Sequence, residues 1–175
     1  MVKVILVNGC ATAGKDTFID CCKEILSEQR TYEISSIDYC KKIARYCGWD
    51  GQKTPKDRKF LSDLKDLLTE WNDVPVKELI FEKGLLEDLI ESENITEDCA
   101  LFICVREPKE LEKLSEIFKA TTIFVTRKEA EEKTASNHAD EEVFDYVYDY
   151  WIDNNGTIDE LKETANFFLE TLKLI

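Results

Sequence analysis

The sequence predicts an α/β protein of three layers, with a central, mainly parallel five-stranded sheet between two layers of helices. Three observations predict it. Apolar, β-branched runs alternate with stretches of helical periodicity along the chain, the pattern of successive β-α units. The run Ala100-Leu101-Phe102-Ile103-Cys104-Val105 is almost wholly apolar, as a strand covered on both faces must be. Finally, the opening apolar run feeds into the glycine-rich stretch Gly9-Cys10-Ala11-Thr12-Ala13-Gly14-Lys15-Asp16-Thr17, which precedes a helical segment.

The elements follow in order. Residues 2–8 read as the first strand, and 15–29 as a helix with Phe18, Cys22, Ile25 and Leu26 on one face. A short second strand spans 32–36. Residues 38–46 are helical, with the breaker Gly48 behind them. Pro55 opens a helix to about Trp71 on which Phe60, Leu64, Leu67 and Leu68 recur at helical spacing. Pro75 sits just inside the start of another, running to about Ser92. The apolar run 100–105 is the third strand, 109–119 a helix and the β-branched stretch 121–126 the fourth strand. Residues 127–142 are highly charged and poor in core residues, which predicts a mobile flap. A last strand over 147–152, the turn Asn154-Asn155-Gly156 and a closing helix over 158–172 complete the chain.

Gly-x4-Gly-Lys between a buried strand and an amphipathic helix reads as a phosphate-binding loop. Gly9 and Gly14 let the backbone curl until several N–H groups share one concavity. Lys15 adds a mobile cation for the outer phosphates, and the helix offers its positive N-terminus. The bland alternative is a strand-to-helix turn that binds nothing. Position 16 is Asp where Ser or Thr usually meets Mg²⁺, and the hydroxyl comes one residue later at Thr17. Both are candidate metal-site residues acting through water, while Thr17 is also placed for an inner phosphate. The loop residues Gly9, Ala11, Thr12, Ala13, Gly14, Lys15, Asp16 and Thr17 are the candidate nucleotide contacts.

The bulk numbers bound this reading. A chain of 175 residues fits one domain with a respectable core, and a composition of 43% hydrophobic and 34% charged residues is that of a soluble globule. With 23 Lys and Arg against 37 Asp and Glu the formal net charge is −14, which argues against a nucleic-acid polymer or an anionic membrane as partner, since both need a basic face. A cleft where a few cations converge can still take a nucleotide. The seven cysteines include no Cys-x-x-Cys, and the one histidine is His138, so neither a disulfide framework nor a zinc site fits. Cytoplasmic location is expected, with no signal peptide and no membrane span.

Four further spots fall at strand carboxyl ends, where ligands of parallel sheets bind. Ser36-Ile37-Asp38 is equally a helix cap or an acceptor contact, with Lys41, Lys42 and Arg45 supplying cations. Arg106, emerging after the central strand, is hard to explain as packing and suits bidentate bridging of phosphoryl groups. Position 104 is Cys where a conventional Walker-B strand carries Asp, leaving Asp16 and Glu107 as the carboxylates at hand. Arg127 roots the flap, which holds Lys128, Lys133, Asn137 and His138. Closing such a flap would neutralise transferred charge and exclude water. The histidine reads as structural. Asn155-Gly156-Thr157 is sufficiently explained as a tight turn.

These stretches together resemble the (deoxy)nucleoside monophosphate kinase-like group of P-loop kinases. Gly14-Lys15-Asp16-Thr17 resembles the loop of phage-type deoxynucleoside monophosphate kinases, and Val105-Arg106-Glu107-Pro108 their Val-Arg-Phe-Pro stretch. Residues 36–42 resemble the acceptor-side loop, and Lys56-Asp57-Arg58-Lys59-Phe60-Leu61 with Asp63 the acceptor-binding helix. The turn at Asn155 and Gly156 is similar to one lying near adenine in these enzymes and in dephospho-coenzyme A kinases. The resemblance implies one P-loop kinase domain over 1–175, with an acceptor-binding helical insertion at about 38–97 and a lid at about 127–145. It implies ATP and Mg²⁺, and transfer to a small phosphorylated acceptor. Lys15, Arg106 and Arg127 would be catalytic; Asp38, Lys42, Arg45, Arg58 and Asp63 would hold the acceptor, and the protein would be a monomer or homodimer. Another acceptor (dephospho-coenzyme A, phosphomevalonate or a nucleoside) and a non-catalytic nucleotide-binding regulator remain alternatives.

Overall fold

The computed structural model describes residues 1–134, 142–144 and 146–175. Five strands, β1 (Val2–Asn8), β2 (Thr31–Ser35), β3 (Cys99–Cys104), β4 (Thr121–Thr126) and β5 (Tyr150–Asp153), form one parallel sheet in the order β2-β3-β1-β4-β5. The described helices are α1 (Lys15–Leu26), α2 (Asp38–Tyr46), α3 (Pro55–Asn72), α4 (Val74–Ser92), α5 (Pro108–Phe118), α6 (Lys128–Thr134) and α7 (Ile158–Thr171). This is a three-layer α/β/α arrangement around a parallel sheet.

The sheet is ordered by burial. β1 lies in the middle because Val4 to Asn8 are all buried, which only a strand covered on both faces and paired on both edges can achieve. It pairs with β3 from Val2↔Cys99 to Val7↔Cys104 and with β4 from Ile5↔Thr121 to Asn8↔Phe124. The chain leaves β1 toward the β2 edge through α1 but leaves β3 toward β4 through α5. Right-handed crossovers in opposite directions put these two helices on opposite faces. Phe18 of α1 meets Phe168 of α7 edge-on with ring centroids 5.7 Å apart, so those two helices pack together.

The chain divides into two compact units, Met1–Ile34 with Thr96–Ile175, and Ser35–Ile95. The first holds the sheet, apart from Ser35 at the end of β2. The second is a helical unit of α2, α3 and α4. Thr54 caps α3 by accepting from Asp57 N, the Asp57 carboxylate returns the bond to Thr54 N, and Pro55 takes the first helical position. Asp73 alone joins α3 to α4, in a left-handed conformation at φ 54°. Val76, Leu79, Leu86 and Ile90 turn one side of α4 inward, whereas Phe81, Leu85 and Leu89 are exposed.

Three boundaries differ from the sequence expectation for physical reasons. α1 ends at Leu26 rather than 29, because Ser27 adopts φ 86° and the chain continues as a single 3-10 turn. β5 starts at Tyr150 rather than 147, because the Asp149 carboxylate takes the place of a ladder partner. It accepts from Thr122 N and from Thr122 Oγ1, each at 2.8 Å. The expected flap opens as a helix, α6, in which Ala130 is buried. Much of the remaining flap expectation, including Asn137 and His138, lies outside the described residues. Five cysteines (10, 21, 22, 40 and 99) are buried, Cys104 is intermediate and Cys47 exposed. Among the described residues no helix is long and apolar enough to cross a membrane.

Candidate functional site

The loop after β1 needs its two glycines for different reasons. At Gly9, φ 147°, a Cβ would sit 2.4 Å from the Val125 carbonyl oxygen, so the loop can leave the sheet here only if nothing projects toward β4. At Gly14, φ 93°, a Cβ would sit 2.1 Å from Nδ2 of Asn154. Thr12 takes the left-handed region at φ 67° between them, and Ala13 N bonds back to Cys10 O at 3.2 Å. Gly14 then caps α1 without a side chain. The first N–H groups of α1 lack intrahelical partners, an arrangement that suits an anion at this helix end.

Lys15 folds over this concavity. Its Nζ donates to Gly9 O at 2.7 Å and Cys10 O at 3.0 Å, leaving the third ammonium proton for a ligand. Burial pushes its pKa below the usual lysine value, and the Arg106 guanidinium pushes the same way. Cys104 and Asp16 oppose them. An ammonium held partly out of water gains strongly from a phosphate, which restores the solvation it lost.

The two candidate arginines flank the loop through the sheet order. β3 and β4 are the two neighbours of β1, and Arg106 and Arg127 follow their carboxyl ends. Arg127 lies within 3.3 Å of Glu129 and is partly exposed, so its present ion pair is a weak one. Asn155 accepts from Lys128 N at 2.9 Å, and its own amide groups bond to Asp153. A Cβ on Gly156 would lie 2.3 Å from the Glu160 carboxylate, which completes a capping box with Thr157 at the start of α7. The turn therefore has a full structural explanation. Beside it lies an open depression of about 510 Å³ lined by Asp153, Gly156, Glu160, Glu163, Thr164 and Phe167.

One group escaped the sequence reading. Ligand atoms of Asp16, Glu33 and Cys104 all lie within 4.8 Å of one another. Glu33 comes from β2, on the far side of β3, and also pairs with Lys23 at 3.0 Å. A glutamate alone within a short strand was the available signal. Two carboxylates are hard oxygen donors that suit hydrated Mg²⁺, whereas the Cys104 thiol is too soft to be its ligand. Glu33 thus places a second carboxylate beside Asp16.

The expected acceptor residues belong to the helical unit and are engaged there. Asp38, Lys42 and Arg45 share one face of α2 by their spacing. Asp38 accepts from Ser35 N and pairs with Lys41, while Lys42 pairs with Glu82 at 2.8 Å. Arg45 lies 6.0 Å from the Trp49 ring centroid. Arg58 donates to Lys53 O, and Asp63 pairs with Lys59, both on the exposed side of α3. These contacts tie each residue to its own helix or a neighbour and do not gather the five into one cluster.

No protein-family model matches the chain, and no curated protein matches it in sequence. Among solved structures it is similar to a dephospho-CoA kinase from Campylobacter jejuni at 16% identity, covering 97% of each chain with a TM-score of 0.48. It is also similar to a shikimate kinase from Aquifex aeolicus at 13% identity, covering 98% of each chain with a TM-score of 0.48. A sugar kinase from Janibacter sp. aligns at 13% identity over 99% of this chain and 96% of its own, again with a TM-score of 0.48. Likenesses this distant carry no weight for activity, which has to be argued from the loop and its surroundings.

Proposed function

We propose that the protein is an ATP-dependent phosphotransferase that moves the γ-phosphoryl group onto a small phosphorylated acceptor, a (deoxy)nucleoside monophosphate in the first instance. The observation that carries the reading is the convergence on one loop of unpartnered helix N–H groups, a partly buried lysine and two arginine-bearing strand ends. A ligand with several adjacent anionic oxygens is what such a receptor recognises.

The chemistry follows from charge. As a phosphoryl group transfers, negative charge spreads over its three equatorial oxygens, and fixed donors aimed there lower the barrier. The loop amides and Lys15 would hold the β- and γ-phosphates. Arg106 and Arg127, approaching from opposite sides of β1, would balance the charge that develops on the transferred group. Thr17 would contact an inner phosphate. Asp16 and Glu33 would hold Mg²⁺ through its water, and the ion would supply charge neutralisation between phosphates when bound. No covalent intermediate is needed, since positioning and electrostatics suffice. Asn155 and Gly156 would border the nucleoside end, and Asp38, Lys42, Arg45, Arg58 and Asp63 would contribute to acceptor recognition.

The test is a panel of acceptors incubated with γ-labelled ATP and Mg²⁺: each (deoxy)nucleoside monophosphate, dephospho-coenzyme A, phosphomevalonate and free nucleosides. Label should move to one or more monophosphates. Transfer to another member would keep the phosphotransferase and change the acceptor. Binding of ATP without transfer to any would make the protein a nucleotide-binding regulator instead.

A further inference from the structure

Two asparagines tie the phosphate loop to the strand ends on either side of it. Asn8, the last residue of β1, is 1% exposed. Its Oδ1 accepts from Gly9 N at 2.7 Å, and its Nδ2 donates to Arg106 O at 3.2 Å. One buried side chain therefore joins the entrance of the loop to the backbone of Arg106. At the other end of the loop, Asn154 Nδ2 donates to Ala13 O at 2.8 Å, while Asn154 N donates to Thr126 O at 2.9 Å. Thr126 directly precedes Arg127. The Asn154 amide occupies the space that a side chain at position 14 would need.

A loop that curls to aim its amides at a ligand would lose that aim whenever its carbonyls sought other partners. Ala13 O is directed to Asn154 instead, and Gly9 N to Asn8. The Asn8 side chain donates and accepts at once, whereas Asn154 reaches the loop with its side chain and Thr126 with its backbone N–H, so each residue holds two segments in register.

We propose that Asn8 and Asn154 are positioning residues that fasten the two ends of the phosphate loop to the strand ends bearing Arg106 and Arg127. The loop amides, Lys15 and the two arginine-bearing segments are then held as one preset receptor. The catalytic consequence rests on the phosphotransferase reading; the mechanical one does not.

The experiment is amide hydrogen exchange on the full chain without nucleotide, paired with steady-state kinetics on the acceptor that the panel identifies. Asn154→Ala should speed exchange over 10–17 by roughly three- to tenfold, the range expected for losing one well-placed hydrogen bond. Asn154→Asp keeps the shape but not the donor toward Ala13 O, and should behave like the alanine variant. Asn166→Ala, on the exposed side of α7, should leave the loop unchanged. Asn8→Leu should speed exchange at Gly9 and over 105–107; if it does not fold, the Asn154 pair decides alone. In kinetics, Asn154→Ala should lower kcat about tenfold with KM for ATP moving less than threefold, because misaimed donors hurt the transition state more than binding.

Unchanged loop exchange in Asn154→Ala, or full rescue by Asn154→Asp, overturns the proposal, since the side chain would then be filling space only. A wild-type protein that neither binds nor turns over ATP would remove the phosphotransferase reading. The exchange result would still stand or fall by itself.

Discussion

Replacing Gly9 by alanine tests the close seat of the loop after β1 on the sheet. The new Cβ would lie 2.4 Å from Val125 O and 3.3 Å from Val125 C, both backbone atoms. β4 cannot retreat easily, because it is paired to β1 at Asn8↔Phe124 and to β5 at Val125↔Ile152. Alanine at φ 147° adds backbone strain of about 1–3 kcal/mol. Forcing a methyl group into a packed site costs about 1–3 kcal/mol more. The sum, about 4 kcal/mol at its centre, should lower the melting temperature by roughly 8–16 °C in a chain of this size. Gly48 and Gly51 provide the scale: both sit at φ 91° with nothing within 4 Å of a Cβ, so alanine there carries strain alone, about 1 kcal/mol. Gly84 lies inside α4 with open space around it, and Gly84→Ala should stabilise by up to about 1 kcal/mol. Thermal unfolding of the four variants under one buffer gives the ranking. If Gly9→Ala melts no lower than Gly48→Ala, the loop is not seated against β4 as described.

Lys15→Met should reduce turnover at least a hundredfold by initial rates while leaving the circular dichroism spectrum intact, since it removes a phosphate cation and keeps the buried stem. Because burial lowers the Lys15 pKa, wild-type ATP affinity should weaken on the alkaline side with a midpoint below 10.5, and titration calorimetry should find that limb missing in Lys15→Arg. The same shift makes the charged lysine a cost to the folded state at neutral pH, relieved as pH rises between its lowered pKa and 10.5. Denaturant midpoints should therefore fall less steeply on the alkaline side for wild type than for Lys15→Met. Asp16→Asn and Glu33→Gln should each raise the Mg²⁺ concentration for half-maximal rate several-fold, and a metal titration that does not move would separate these carboxylates from the ion. Arg127→Ala should lower turnover far more than ATP affinity, measured by comparing kcat with the dissociation constant.

The sheet was legible because its signals are local and redundant. β1, β3 and β4 are apolar enough to be strands in any context, and the strand-loop-helix order around Gly9 and Gly14 allows few backbones. What escaped was determined by partners distant in sequence. Nothing near residue 147 signals that Asp149 will spend its carboxylate on Thr122 and delay the start of β5. Likewise Glu33 reaches Asp16 only because β2 joins the sheet beyond β3, and Asn154 looked like an ordinary turn residue until Ala13 came within 2.8 Å. The arginines stood out in the sequence because a cation at a strand end is conspicuous, and both follow strands that neighbour β1. The acceptor residues were named from short, exposed matches, and in the structure each is tied to neighbours within the helical unit rather than joined in a shared cluster.

The order in which the chain is made bears on the interrupted layout of the sheet unit. β1 emerges first, yet both of its partners, Cys99–Cys104 and Thr121–Thr126, lie beyond the helical unit of residues 35–95. That helical unit relies on contacts close in sequence and can form early during synthesis. Throughout that interval Val4-Ile5-Leu6-Val7 has no strand to pair with, although it is buried in the finished sheet. A ribosome that stalls before residue 99 therefore leaves an adhesive, uncharged β-segment exposed on a tethered chain, the kind of surface that chaperones bind and that aggregates nucleate on. Slow translation through the helical unit should lower the yield of folded protein more than slow translation after residue 126.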